Sequence, residues 1–139
     1  MPKSLKVAVL TESRADYGIY YPLLKAMSQD SRFELQVVIG DMHFDPWHGH
    51  TLDCVELDFP DLEWGLDWYD PYWVIVLGDR RPMLEAAIRA AYDNIPVAHI
   101  QGGDRTGTID DPARHAITRF SHLHFPCTNA SAQRLIRMG

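Results

Sequence analysis

The sequence predicts an α/β fold: a parallel, Rossmann-like sheet with flanking helices. Three observations carry that expectation. Short apolar, β-rich runs alternate along the chain with stretches of helical periodicity. Several of the apolar runs end in glycines, carboxylates or arginines, as strand-to-helix turns in open α/β sheets do. No internal repeat or linker interrupts the alternation, so the 139 residues read as one domain, long enough to bury a core.

Taken in order, Leu5-Lys-Val-Ala-Val-Leu10 is a buried strand and Thr11–Asp16 a loop. Tyr17–Ser28 is a helix in which Ile19, Leu23, Leu24 and Met27 recur at helical spacing. Phe33–Ile39 is the second strand, ending at Gly40, and Trp73–Leu77 the third, ending at Gly78. Met83, Leu84, Ala87, Ile88 and Ala91 make a helical stripe, followed by a strand over Ile95–Ile100. Asp110–Phe120 is a helix with Asp111 and Pro112 as N-cap and first residue. His122–Phe125 is a short strand, and Asn129–Met138 a last helix that stops at Gly139. The stretch Asp41–Tyr72 breaks the pattern with Asp, Pro and Gly, and all four tryptophans fall between Asp41 and Trp73. Asp53–Leu57 reads as an extra strand there. That leaves Asp58–Tyr72 as a crossover barely long enough for one short helix, and the segment is expected to be irregular.

Composition excludes several classes. A 46% hydrophobic share is globular rather than disordered. The longest apolar runs are far too short to span a bilayer. Met1–Lys6 has one short basic stretch and no apolar core of a secretory signal, so the expected location is cytoplasmic. Cys54 and Cys127 form neither a disulfide framework nor a zinc pattern. The net charge is −6, unevenly spread. Phe33–Asp79 holds eleven acids and no Lys or Arg, and the remainder holds all thirteen basic residues against eight acids. A basic remainder suits an anionic small ligand about as well as a nucleic acid, so charge does not choose between them.

Ligands of open α/β sheets bind outside the carboxyl ends of the strands. In this chain those positions carry Ser13, Arg14 and Asp16; Gly40, Asp41 and His43; Gly78, Asp79, Arg80 and Arg81; Gln101, Gly102, Gly103, Asp104 and Arg105; and Thr128, Asn129 and Ser131. Arginines, carboxylates and helix N-termini on one edge make an anion site flanked by acid/base groups. Each has a plainer reading. Asp79 and Asp111 sit where helix caps belong. His122 and His124 share a strand face as partly buried side chains. His48 and His50 near Asp45 are weak as metal ligands. Gly102-Gly103 is a turn signal rather than a phosphate fingerprint. Asn129-Ala-Ser131 is a helix cap before it is a glycosylation site.

Five stretches together are more specific. Thr11-Glu-Ser-Arg-Ala-Asp-Tyr-Gly18, Val76-Leu-Gly-Asp-Arg80, Ile95-Pro-Val-Ala-His-Ile-Gln-Gly-Gly-Asp104, Ile109-Asp-Asp-Pro-Ala-Arg-His-Ala-Ile-Thr118 and Ser121-His-Leu-His-Phe125 resemble one family. It is that of the hydrolysing UDP-N-acetylglucosamine 2-epimerases. The resemblance covers residues 5–40 and 73–139, in the same order and with similar spacing. It implies one half of a GT-B architecture, with residues 1–139 as the N-terminal Rossmann-like domain and the C-terminal domain beyond it. It implies elimination of UDP across C1–C2 to a glycal, then hydration with inverted C2, giving N-acetylmannosamine for sialic and related nonulosonic acids.

The same resemblance implies roles for particular residues. Asp79, Asp104 and Asp111 fall at acid/base positions. Arg14, Asp16, Arg80, Arg114 and His115 fall at substrate-binding ones, Arg14 near the diphosphate and sugar and His115 beside the sugar pocket. No metal or redox cofactor is implied, and neither nucleic acid nor membrane. The partners are UDP-GlcNAc or a UDP-diacetamido sugar, with a C-terminal domain partner or a homo-oligomer. Three departures stand out. The position of Asp104 is usually glutamate, Asp41–Tyr72 is shorter than its counterpart, and the sequence ends at Gly139 where the family pattern continues into a second domain, so the C-terminal domain is expected to be absent from it. The other reading is a non-catalytic remnant that binds a sugar nucleotide or self-associates.

Overall fold

In the computed structural model, which describes residues 4–139, the chain opens on strand β1 (Leu5–Thr11). Met1, Pro2 and Lys3 of the basic N-terminal stretch lie outside the described residues. Val7–Thr11 are all buried, which is why this strand is a continuous apolar run rather than an alternating one. Its parallel neighbour β2 (Phe33–Ile39) pairs with it from Leu5↔Phe33 to Thr11↔Ile39. On its other side β2 pairs in parallel with the short strand Glu63–Gly65, and further along the chain Trp73–Leu77, Val97–Ile100 and Leu123–Phe125 lie side by side in that order, also parallel.

Between β1 and β2, helix α1 (Arg14–Ser28) begins three residues earlier than the apolar spacing predicts. The cause is Asp16. Its carboxylate accepts the Glu12 N–H at 2.8 Å, the Ser13 N–H at 2.7 Å and the Ser13 hydroxyl at 2.8 Å. A carboxylate there also suits the positive end of the helix. The buried face is Tyr17, Tyr20 and Leu24, whereas Ile19, expected inside, faces solvent.

Backbone contacts gather the chain into two units, up to Tyr72 and from Trp73 to Gly139. In the first, Gly40 lies so close to the loop after β1 that a Cβ would sit 2.9 Å from the Glu12 Cα. The buried His43 ring joins Thr11 Oγ1 at 2.9 Å to Thr51 Oγ1 at 2.6 Å, and burial lowers its pKa.

Two expectations for Asp41–Tyr72 are corrected. Asp53–Leu57 is not a strand but lies in helix α2 (Leu52–Asp58). Leu52, Val55 and Phe59 are buried at spacings of three and four, a helical stripe that a five-residue window hid. Asp58–Tyr72 holds no crossover helix but a short strand, β3 (Glu63–Gly65), paired with β2 and tied by Gln36 Nε2 to Glu63 Oε1 at 3.0 Å. Residues 66–72 are irregular, as expected. Their anchors are the buried Trp68, the Tyr69 N–H on Gln36 Oε1 at 2.7 Å and the Tyr72 N–H on the Lys6 carbonyl at 2.9 Å.

The second unit alternates regularly: β4 (Trp73–Leu77), α3 (Arg81–Tyr92), β5 (Val97–Ile100), α4 (Asp110–Phe120), β6 (Leu123–Phe125) and α5 (Asn129–Met138). The bounds of β4, α4 and α5 agree with the sequence reading. Strand β5 starts at Val97, just past Pro96, which has no N–H to give a ladder. Among the described residues, no helix is long and apolar enough to cross a membrane.

Candidate active site

Two loops of the second unit, after β4 and after β5, together with the first turn of α5, hold most of the predicted polar groups. The loop after β4 turns at Gly78, whose φ of +75° lies in the region glycine favours, and delivers Asp79. The Gly78 N–H donates to the Ile100 carbonyl at 2.9 Å, and the Gly78 carbonyl lies 2.8 Å from His99 Nε2.

His99 is fully buried, and its pKa is lowered to about 4, chiefly by burial. The ring is therefore neutral at pH 7. A carbonyl can only accept, so Nε2 carries the hydrogen, and Nδ1 accepts from the Thr118 hydroxyl at 3.1 Å. The same edge of the ring packs against Gly102, where a Cβ would lie 2.8 Å from Nδ1. One imidazole thus joins β4, β5 and α4 beneath the two loops.

This burial carries a stability prediction. The unfolded imidazole takes its proton near pH 6.5, the native one only near 4. The contribution of His99 is therefore complete above pH 6.5 and is lost as pH falls from 6.5 towards 4, about 3 kcal/mol in all. Urea unfolding across that range should show a shallower acid loss in His99→Gln than in the unaltered chain. Parallel curves would show that His99 does not titrate this way.

Arg114, on α4, is the centre of the cluster, with its side chain only 3% exposed. Its Nη2 donates to Asp79 Oδ2 in a very short ion pair. Its Nη1 donates to Asp111 Oδ1 at 2.6 Å and to the Asp104 carbonyl at 2.9 Å. A guanidinium suits this position because its forked donors reach three acceptors on three segments at once.

Asp111 is saturated. Oδ1 accepts the Thr106 N–H at 2.8 Å and the Thr106 hydroxyl at 3.0 Å besides Arg114, and Oδ2 accepts the Gly107 N–H at 2.8 Å. The Thr106 N–H, then those of Gly107 and Arg114, hold its pKa far below the usual carboxylate range. Rather than capping α4 from the N-cap position, which falls at Ile109, it closes the loop that precedes the helix.

Asp104 is bound differently: its Oδ1 accepts the Ser131 hydroxyl at 2.5 Å. Between Asp79 and Asp104 lies Gln101, a non-glycine residue at φ +64° whose N–H donates to the Phe125 carbonyl at 3.0 Å. His115, one residue past Arg114, is half-buried, and its Nδ1 is enclosed without a hydrogen-bond partner.

The structure therefore brings Asp79, Asp104, Asp111 and Arg114 together in the second unit. Arg80 is exposed at the N-cap position of α3. In the first unit Arg14 is exposed at the start of α1, while Asp16 is buried and spends its oxygens on the α1 turn. His48 and His50 pair with different carboxylates, Asp45 at 2.6 Å and Asp53 at 3.4 Å. Ser131 was expected at the ligand edge of the sheet but with no particular partner, and His99, Thr118 and Arg134 carried no site expectation. The cap of α5 is Thr128, whose Oγ1 accepts the Ser131 N–H at 3.1 Å.

Fold and cluster define a Rossmann-like α/β scaffold with carboxylates and arginines at the carboxyl ends of its strands. The family pattern of the UDP-N-acetylglucosamine 2-epimerases matches residues 61–139, and the chain belongs to that family. A Legionella pneumophila relative, UDP-N,N'-diacetylbacillosamine 2-epimerase (hydrolyzing), is 36% identical over 96% of this chain and 43% of its own length. The UDP-N-acetylglucosamine 2-epimerase of Neisseria meningitidis serogroup B is 28% identical, with 42% of its length covered. The chain thus spans about two fifths of the relatives it matches. The fold is that of the Neisseria meningitidis UDP-GlcNAc 2-epimerase structure bound to UDP-GlcNAc, with a TM-score of 0.81 over 96% of this chain and 43% of that one at 21% identity. The Methanocaldococcus jannaschii UDP-GlcNAc 2-epimerase in complex with UDP-GlcNAc and UDP gives the same TM-score of 0.81 at 18% identity.

Proposed function

We propose that this chain is the N-terminal, sugar-facing part of a hydrolysing 2-epimerase acting on a UDP-linked 2-acetamido sugar. The observation that carries the reading is the cluster of Asp79, Asp104 and Asp111 around Arg114, inside the matched stretch. The reaction removes the C2 proton, expels UDP from C1 and adds water across the resulting glycal, leaving the 2-acetamido sugar inverted at C2. It needs a base, an acid and positive charge near the departing oxygen. Asp79 and Asp104 are the proton-handling carboxylates in this reading. Asp111, with four donors on its two oxygens, holds the loop between them and α4 as a permanent anion. Arg80, exposed after β4, supplies charge for the diphosphate, and the half-buried His115 stands beside the sugar. The 36% identity to the Legionella pneumophila enzyme, against 28% to that of Neisseria meningitidis, supports a diacetamido sugar over UDP-GlcNAc.

The test is UDP release from both sugar nucleotides by the purified chain, with and without a separately expressed C-terminal epimerase domain. Release that depends on the added domain is the expected result. A folded chain that binds the sugar nucleotide but never releases UDP, alone or supplemented, would overturn the catalytic reading in favour of a binding remnant.

A further inference from the structure

We propose that Ser131 is a positioning residue for Asp104, and that the first turns of α5 are the template on which the loop after β5 is set. The proposal deepens the reading of Asp104 as a proton-handling group and rests on it.

Three independent contacts join this helix to that loop. The Ser131 hydroxyl, 3% exposed as a residue, donates to Asp104 Oδ1 at 2.5 Å. Its own oxygen lies 2.9 Å from Thr128 Oγ1. Because the Ser131 hydroxyl gives its one hydrogen to Asp104, Thr128 is the donor of the second bond, and the hydrogens run from Thr128 to Ser131 to Asp104. Arg134, one helical turn on, donates to the Gly103 carbonyl in a very short bond. Between these two, Gly103 packs directly on the helix: a Cβ there would lie 2.5 Å from the Ser131 carbonyl oxygen and 2.9 Å from Leu135 Cγ, and φ is +84°. Only glycine lets the backbone approach this closely.

The loop is therefore clamped on its backbone at Gly103 and on its side chain at Asp104. Asp104 is the one member of the carboxylate cluster whose side chain Arg114 does not hold, since the guanidinium reaches only its carbonyl. Among the described residues, Ser131 alone hydrogen-bonds the Asp104 carboxylate and so selects its rotamer. A proton transfer demands that an oxygen be held within a fraction of an ångström, and misplacement by about 1 Å lowers rates by about a hundredfold.

The first readout needs no turnover: three-bond couplings about the Asp104 Cα–Cβ bond, measured by NMR on this chain. A single rotamer is expected in the unaltered protein, averaging in Ser131→Ala, and a single rotamer again in Ser131→Thr. Asp104→Asn should also stay in one rotamer, because the amide oxygen still accepts the hydroxyl. A single rotamer in Ser131→Ala would overturn the proposal.

The second readout is UDP release by the chain supplemented with the C-terminal domain. Ser131→Ala should lower kcat about tenfold or more with KM within about twofold, and Ser131→Thr should recover it. If Asp104→Asn abolishes release while Ser131→Ala leaves kcat unchanged, orientation by Ser131 is irrelevant to the chemistry and the proposal falls. If Ser131→Ala averages the rotamer and Asp104→Asn releases UDP normally, Ser131 does orient the carboxylate, and it is the reading of Asp104 that fails.

Discussion

Replacing Asp79 by asparagine should lower UDP release by about 10²–10⁴-fold, the range that a positioned acid or base supplies. Asparagine keeps the shape of the side chain, and its amide oxygen still accepts from Arg114. The helix α3 that follows starts at Arg81 with Arg80 at its N-cap position, so Asp79 is not its cap. The structure around the site should therefore survive, and the thermal midpoint should move by no more than a few degrees. The measurement is kcat and KM for UDP release in the supplemented enzyme. A fall in kcat with KM little changed is the signature of a group acting in the transition state. Turnover equal to that of the unaltered protein would remove Asp79 from the mechanism.

The second large effect is expected at Arg114. Arg114→Met leaves the Asp79 and Asp111 carboxylates, 28% and 17% exposed, without the guanidinium that pairs with both. Breaking a buried ion pair on one side costs about 3–5 kcal/mol, and the partial exposure of both carboxylates places this case near the lower end. Urea unfolding should thus show a loss of about 3 kcal/mol, and UDP release should disappear with it. Arg114→Lys should rescue neither quantity fully. A single ammonium cannot reach Asp79, Asp111 and the Asp104 carbonyl together as the guanidinium fork does. A fully active lysine variant would show that charge alone suffices here.

These two predictions differ in what they ask of the site. Asp79 is tested as a chemical group and Arg114 as the tie between segments. Asp111 belongs with Arg114. Its oxygens are filled by Thr106, Gly107 and the guanidinium, so it shapes the loop on which Asp104 stands.

The alternation of elements was legible because the longer strands of this sheet are largely apolar runs and several elements carry their own punctuation. Phe33–Ile39, Trp73–Leu77 and Asn129–Met138 are bounded by Gly40, Gly78 and Gly139, and the structure keeps those bounds. The stretch Asp41–Tyr72 was not legible. Its elements are too short for a periodicity to accumulate: α2 has seven residues and β3 only three. What holds β3 is its pairing with β2 and the Gln36–Glu63 contact, residues 27 apart in the chain. The start of α1 escaped for a related reason. Asp16 reads as a loop carboxylate until its oxygens are seen on Glu12 and Ser13.

The same division runs through the site. Sequence by itself pointed to Asp79 and Asp104, because polar residues placed directly after apolar strands lie near the carboxyl ends of a parallel sheet, and the family resemblance added Asp111 and Arg114. Spacing along the chain says nothing about which of them share a proton, a cation or a hydroxyl. That Arg114 binds two carboxylates, that Asp111 is saturated, that His99 stays neutral beneath Gly78 and Gly102, and that Ser131 reaches Asp104 across 27 residues were decided by tertiary packing alone. Hydrogen bonds and ion pairs act over about 3 Å, and only the folded backbone brings groups so distant in sequence within that reach.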